Sequence, residues 1–241
     1  MQALRKEPCS SDIPATCTVC EARRDGVCGA MSPAQLHEIS RYTVRKKIAH
    51  GTELVGQGEK LVSYANILKG VVKLTKVMQD GRQQIVGLQF APDFLGRPFA
   101  GESALTAEAA TDVEICTVSK AAMDRMVGNC AELEHRLHNQ ALAELDDARD
   151  WMLTLGRKTA REKVASFLHL LATHYEPEAD DGIEFDIPLT RQEIADFLGL
   201  TIETVSRQIT RLRMDGVISV VDNRNVTVPK IDRLQMVAGG A

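Results

Sequence analysis

The stretch LTRQEIADFLGLTIETVSRQITRLRMDGVISV, residues 189–220, predicts two short helices joined by a tight turn at Gly199. Thr190 can cap the first helix, and Glu193 follows three residues later, as in a capping box. Thr201 can cap the second helix at its N-terminus. Two such helices form a helix-turn-helix, in which the second helix enters the major groove of DNA and contacts base edges.

The second predicted helix carries polar residues that share one face, because they lie three and four residues apart: Glu203, Ser206 and Arg207. An arginine can bind guanine O6 and N7 together, and a glutamate can accept a hydrogen bond from cytosine N4. Arg211 and Arg213 follow as expected phosphate contacts, which position the helix without reading sequence. A solvated helix face is the alternative interpretation of this pattern. The hairpin-like wing that follows, MDGVISVVDNRNVTV, favours DNA reading.

From about residue 40 to residue 120, short β-rich runs alternate with glycines. The clearest example is YANILKGVVKLTKVMQDGRQQIVGLQF, in which two roughly alternating apolar runs flank Asp80-Gly81. An Asp-Gly pair in this setting is a strong signal for a β-hairpin. Short strands with frequent turns predict a sandwich or a jelly-roll barrel.

From about residue 120 to residue 155 the apolar pattern changes to helical spacing. Apolar residues recur at intervals of four and three, and they form a seam: Ala141, Leu145, Ala148, Met152 and Leu155. A long helix with this seam is predicted to pair across a dimer axis, although packing on its own barrel is an alternative. We expect Asp150 to lie beside the seam, where an unpaired buried charge would destabilise the interface.

Composition excludes several classes of protein. The 241 residues carry a formal net charge of −4, so any contact with nucleic acid must be local. No apolar run is long enough for a secretory signal or a membrane span, so neither a leader peptide nor a membrane partner is expected. The chain is therefore expected in the cytoplasm, where thiols stay reduced.

Three cysteines fall within CTVCEARRDGVC, residues 17–28, after an N-terminus without any sign of structure. The spacing Cys-x2-Cys-x7-Cys is compatible with a zinc site, with an iron–sulfur cluster or with inert thiols. In a reducing compartment these roles are favoured over disulfides. Zinc and a cubane cluster each need a fourth ligand from elsewhere in the chain.

A β-barrel, a long dimer helix and a C-terminal winged helix-turn-helix, in that order, resemble the Crp/FNR family of bacterial transcription regulators. The resemblance covers nearly the whole chain and implies an α+β fold. Its expected parts are a Cys-rich segment (1–30), a jelly-roll sensor domain like the cyclic-nucleotide-binding barrels (31–120), a dimerisation helix (121–156) and the winged helix-turn-helix (157–241).

The resemblance is closest in GLTIETVSR, which is similar to the recognition helix of the FNR branch. Glu203, Ser206 and Arg207 match its base-reading residues. The resemblance therefore implies a homodimer that binds palindromic TTGAT-like sites in double-stranded DNA and contacts RNA polymerase. Cyclic-nucleotide-binding members keep an Arg-Ser pair and a nearby Glu in the barrel. Here Ser103-Ala104 replaces the pair and Arg97 replaces the Glu, so no cyclic nucleotide is expected.

FNR proteins hold a [4Fe–4S] cluster with an N-terminal cysteine triplet and one cysteine of the barrel. The resemblance implies the same metal ligands here: Cys17, Cys20, Cys28 and Cys116. The gap of seven residues between Cys20 and Cys28 is longer than the gap in some family members. Cys9 is a rival fourth ligand, and Cys130 is expected to be a buried core residue.

The resemblance further implies an oxygen-sensing regulator, expected to be an activator, of anaerobic and microaerobic genes. In such a regulator the intact cluster favours the DNA-binding dimer and oxygen inactivates it. Asp150 matches the acidic residue that opposes dimerisation when the cluster is absent. A zinc- or thiol-redox-responsive regulator with the same cysteines remains an alternative. An enzyme is not expected, because the sequence has no Gly-rich nucleotide loop, no nucleophile–base constellation and no CxxxCxxC motif.

Overall fold

A computed structural model describes residues 13–18, 20–176, 179 and 181–239. The chain divides into two compact units. The first extends to Leu74 and includes Leu88–Glu144, and the second contains Thr75–Gly87 and the chain from Leu145 onward. Within the described residues, no helix combines the length and the hydropathy that a membrane span requires.

The predicted β-sandwich is confirmed. Its strands form two four-stranded sheets, ordered β1-β8-β3-β6 and β2-β7-β4-β5. Ile67, Val72 and Ile115 belong to the apolar core that both sheets share. The Asp80-Gly81 hairpin is also confirmed, and Gly81 adopts the positive φ of 84° that its turn requires. The strands are β1 (Thr43–Ile48), β2 (Glu53–Val55), β3 (Ser63–Lys69), β4 (Val71–Val77), β5 (Gln83–Phe90), β6 (Phe94–Leu95), β7 (Thr106–Ala109) and β8 (Val113–Ser119).

Short helices precede the barrel in the described part of the chain. They are α1 (Ala15–Thr18), α2 (Glu21–Arg24), a 3₁₀ turn (Val27–Ala30) and α3 (Pro33–Ser40). Ser32 caps α3 through a capping box with Gln35. Val27 and Leu36 are buried in one apolar cluster with Val118 of β8, which anchors the segment on the sandwich.

The helical region predicted over residues 121–156 contains two helices, α4 (Lys120–Asn129) and α5 (Ala131–Arg157). They are separated at Cys130, whose backbone is extended. Cys130 is buried, as expected, in the same apolar cluster as α3 and α4. Leu133 of α5 is also buried there, so the first turns of the long helix pack on the first unit.

The C-terminal part is the predicted winged helix-turn-helix. It contains α6 (Ala160–Tyr175), β9 (Asp181–Asp186), α7 (Arg191–Leu198), α8 (Ile202–Met214), β10 (Ser219–Val221), β11 (Asn225–Lys230) and α9 (Ile231–Val237), with strand order β10-β11-β9. Thr190 and Glu193 form the predicted capping box, and Thr201 caps α8. Gly199 ends α7 at φ 61°, a left-handed conformation that glycine adopts without strain.

Candidate functional site

Four cysteines line one cavity of about 210 Å³ in the first unit: Cys17, Cys20, Cys28 and Cys116. Cys17 lies in α1, Cys20 directly precedes α2, and Cys28 lies in the 3₁₀ turn. Cys116 comes from β8, far along the chain. The structure therefore brings together all four residues that the resemblance proposed as metal ligands. Cys9 lies outside the described residues.

Strand alternation puts the sulfur of Cys116 on the outer side of the sandwich. Its neighbour Ile115 belongs to the core between the sheets, and successive side chains of a strand point to opposite faces. In the strand register Cys116 lies between Arg45 of β1 and Asn66 of β3. The cysteine-lined cavity thus lies between this outer face and the N-terminal helices, and not inside the barrel.

The electrostatics of the cavity favour the neutral thiols of Cys28 and Cys116. Burial, with smaller contributions from the other cysteines, raises the pKa of Cys28 to about 12, although a hydrogen bond from Asn66 opposes the shift. Burial also raises the pKa of Cys116, and Arg45 counteracts this. A metal bound here would have to displace protons from these thiols.

The other residues that line the cavity suit an anionic sulfur-rich group. Arg23 and Arg45 contribute two guanidinium groups, and the cavity lining contains no carboxylate and no imidazole among the described residues. The Nε of Arg23 is buried and has no hydrogen-bond partner in the described part of the chain. Four thiolates can ligate either zinc or a cubane cluster. No three His, Cys, Asp or Glu side chains of the described residues converge as a single-ion site.

The recognition helix α8 presents its predicted DNA-reading residues to solvent. Val205, Ile209 and Leu212 are buried, whereas three charged residues at intervals of one turn are exposed: Glu203, Arg207 and Arg211. Hydrogen bonds from its own backbone N–H and from Thr201 lower the pKa of Glu203, which keeps this side chain an acceptor. Gln208 is buried beside Ile209, so both side chains occupy the inner face.

A groove beside α8 adds basic residues that the sequence interpretation did not assign to DNA. Ser206 and Arg213 of α8 share this groove of about 330 Å³ with Arg191 and Arg224. Arg191 begins α7, and its guanidinium donates to the carbonyl of Asn223 in the wing at 2.9 Å. Three guanidinium groups around one groove can contact backbone phosphates. The only sequence signal for Arg191 is its place directly after the cap of the first helix.

Comparison with known proteins agrees with this architecture. Residues 45–130 match the cyclic nucleotide-binding domain, and residues 162–237 match the Crp-like helix-turn-helix domain. The chain is 58% identical over 98% of both chains to a probable transcriptional activator of Rhizobium leguminosarum bv. viciae. The chain belongs to the Crp/FNR family. It is a DNA-binding transcription regulator and not an enzyme.

Two further proteins are similar to this Crp/FNR regulator. It is 39% identical to the transcriptional activator protein FnrL of Cereibacter sphaeroides, over 92% of both chains. Its fold matches the structure of FixK2 from Bradyrhizobium japonicum with a TM-score of 0.74 and 30% identity, over 83% of this chain and 98% of that one.

Inside the barrel, this Crp/FNR regulator has a separate cavity of about 170 Å³. Arg97, Ser103 and Ala104, which the resemblance puts at the family's nucleotide-binding positions, line this cavity together with mainly apolar side chains. The hydroxyl of Ser103 donates to the carbonyl of Leu105 at 2.6 Å, so it is engaged within its own loop. That no cyclic nucleotide binds here stays a prediction.

The apolar seam of α5 is exposed in the single chain. The prediction that Asp150 lies beside this seam is wrong. Leu145 and Met152 are 44% and 72% exposed. Asp150 lies nine residues beyond Ala141 on one continuous helix, which at about 100° per residue places it about 180° from the seam. Its side chain is exposed on the opposite face, so the dimer-switch role assigned to Asp150 loses its geometric basis.

The pKa of Cys28 leads to a prediction for the metal-free protein. Alkylation requires the thiolate, so the rate at Cys28 should rise about tenfold for each pH unit between about 8 and 10, because both values lie below its pKa of about 12. An ordinary thiol levels off near its pKa of about 8.5. The rate is measured by iodoacetamide labelling and peptide mass spectrometry. The same residue in urea-unfolded protein is the control, and a plateau near pH 9 in the folded protein would contradict the burial of this thiol.

Proposed function

We propose that this regulator is an oxygen-responsive activator of anaerobic genes, which holds a [4Fe–4S] cluster with Cys17, Cys20, Cys28 and Cys116. The observation that carries the proposal is that Cys116, far along the chain, lines one cavity together with Cys17, Cys20, Cys28 and two cationic side chains. The relative named transcriptional activator protein FnrL supports the activator part of this proposal. When bound, the cluster supplies a redox-active centre that dioxygen can degrade.

The volume of the cavity is compatible with a cluster. Each Zn–S bond is about 2.3 Å long, so a tetrahedral zinc site would hold its sulfurs about 3.8 Å apart. A cavity of about 210 Å³ shared by the four cysteines has room for a group of several atoms. The buried Nε of Arg23, which has no partner among the described residues, could donate to such a group if it carried negative charge. Zinc binding or thiol oxidation at the same cysteines is the second candidate.

The first turns of α5, the proposed dimer helix, contact the segment that carries the cysteines. This contact provides a physical route between the two. The guanidinium of Arg136 donates to the carbonyl of Asp25, which lies between Cys20 and Cys28 in sequence. Leu133 and Leu137 of α5 belong to the apolar cluster against which Cys28 packs. A change in the cysteine segment would therefore alter the support of α5, and coupling needs only a difference in affinity between the two states.

The exposed seam of α5 supports a homodimer. Its apolar residues recur at the spacing of a helix pair, and a second copy of the same helix would remove them from water. Two recognition helices related by a two-fold axis would contact half-sites about 34 Å apart. We propose that these are TTGAT-like palindromes, bound in the cytoplasm, and that the bound dimer contacts RNA polymerase.

The ligand set can be tested by single cysteine-to-serine substitutions in protein purified without oxygen. Replacement of Cys17, Cys20, Cys28 or Cys116 should abolish iron and sulfide binding and DNA binding, because a cubane cluster needs four thiolates. Cys130→Ser and Cys9→Ser are the matched controls and should retain both. Iron, zinc and acid-labile sulfide are measured together with the absorption spectrum. Zinc without sulfide in the wild type would establish the second candidate, and full iron content in Cys116→Ser would exclude this cysteine.

The route through α5 can be tested with two arginine substitutions on the same helix. Arg136→Ala should still bind iron and sulfide, but the difference in DNA affinity between cluster-loaded and cluster-free protein should shrink severalfold. Arg149→Ala is the control, because Arg149 pairs with Asp146 on the exposed helix and not with the cysteine segment. Fluorescence anisotropy with labelled DNA measures both states. An unchanged difference in Arg136→Ala would refute this route.

Base reading can be tested by comparing Arg207 with Arg211. Arg207→Ala should lose about 1–3 kcal/mol per half-site and the preference for the G·C pair. Arg211→Ala should weaken all sequences alike and reduce the salt dependence by about one charge per subunit, because phosphate contacts carry no sequence information. Each variant is titrated without oxygen against a TTGAT-type site and a copy mutated at the G·C pair. Equal losses on both DNAs for Arg207→Ala would mean that this arginine only positions the helix.

A further inference from the structure

Asn66 is a buried amide next to the cysteine-lined cavity. It is 3% exposed and lies on the outer face of β3, beside Cys116 in the strand register. Its Nδ2 donates to the sulfur of Cys28 at 3.7 Å. Asn66 thus lies between Cys116 of the barrel and Cys28 of the N-terminal segment.

This amide is unfavourable for the stability of the fold. Its Oδ1 is buried and has no hydrogen-bond partner among the described residues. The neighbouring part of the sheet is apolar, since Tyr64 and Val118 are buried in the cluster that covers this face. A buried polar atom without a partner destabilises the folded state, whereas an apolar side chain of the same shape would not. Packing therefore gives no reason for asparagine here.

The donors around the cavity suit a sulfur atom that carries negative charge. The side chain of Arg45 lies on the other side of Cys116 in the register, and its guanidinium donates to the carbonyl of Thr16. Asn66 is an uncharged donor of this group, and its N–H is already directed at the sulfur of Cys28. Hydrogen bonds to ligand sulfurs and the net charge of the site set the reduction potential of an iron–sulfur cluster.

We propose that Asn66 is a positioning residue for the group that the cysteines hold: its N–H donates to the Cys28 sulfur, orients this ligand and stabilises the reduced form of the cluster. This inference rests on the proposed function. The hydrogen bond favours whichever redox state places more negative charge on the sulfur, so its loss lowers the reduction potential. Asn66 would then stabilise the reduced cluster and at the same time destabilise the fold.

The test uses the full chain, reconstituted with iron and sulfide without oxygen. Asn66→Leu keeps the number and branching of the side-chain heavy atoms but removes the donor and the unpartnered oxygen. Asn66→Asp keeps the shape and replaces the donor by a carboxylate. Thr117→Val is the matched control, because Thr117 lies next to Cys116 on the same strand, and its hydroxyl donates to the carbonyl of Val44 at 3.0 Å. The measurements are iron and sulfide content, the reduction potential from a dye-coupled titration, and the thermal midpoint of the metal-free chain.

The reduction potential and the thermal midpoint should not fall together for Asn66→Leu. Its cluster should have a more negative potential than the wild type, while the midpoint of the metal-free chain should be unchanged or higher. Asn66→Asp should show a larger negative shift and lower iron content, and Thr117→Val should keep the wild-type potential. The inference would be overturned if an Asn66 variant that binds iron keeps the wild-type potential. It would also be overturned if neither Asn66 variant folds. If the wild type itself takes up no iron and sulfide, the proposed function fails, and this inference fails with it.

Discussion

Antiparallel pairing of β1, β8 and β3 holds Arg45, Cys116 and Asn66 in one row on the outer face of the sandwich. The N-terminal segment completes the cavity from the other side, and its own apolar residues anchor it on the same face. A shift of β8 by one residue would turn Cys116 into the core between the sheets and remove it from the other cysteines. The strand register is therefore the constraint on which the cysteine site depends.

Two adjacent residues of β8 serve two different cavities. Ile115 lines the cavity inside the barrel, and Cys116 lines the cysteine cavity outside it. The interior cavity occupies the domain that matches the cyclic nucleotide-binding domain, and Ser103 and Ala104 are among the residues that line it. The outer face of the same sheet provides Cys116, with Arg45 and Asn66 beside it. Cys116, a proposed metal ligand, thus lies on the opposite side of the sheet from the interior cavity.

Helix α5 contributes to both units. Its first turns bury Leu133 and contact the cysteine segment through Arg136, and in the second unit Trp151 packs on Phe197 of the helix-turn-helix with ring centroids 4.5 Å apart. Coupling between distant sites requires an element whose state both sites influence. Between these two ends lies the exposed apolar seam, which is the part of the helix that a second chain would cover.

The sequence by itself determined the elements whose signals are local. Thr190 with Glu193, Gly199 and Thr201 define the helix-turn-helix, because caps and turns depend on residues only a few positions apart. The Asp80-Gly81 hairpin was predictable for the same reason. Spacing alone left the chemistry of Cys17, Cys20 and Cys28 open, and only the family resemblance proposed Cys116 as their partner.

Tertiary structure decided the features that depend on packing and register. The short helices around Cys17–Cys28 form against the sandwich, and β9 forms because Ile183 and Phe185 are buried in the C-terminal sheet beside β11. The place of Asn66 beside Cys28, and of Arg191 beside the wing, follows from residues far apart in sequence. Such contacts leave no local pattern, because strand pairing and apolar burial, rather than spacing along the chain, bring these side chains together.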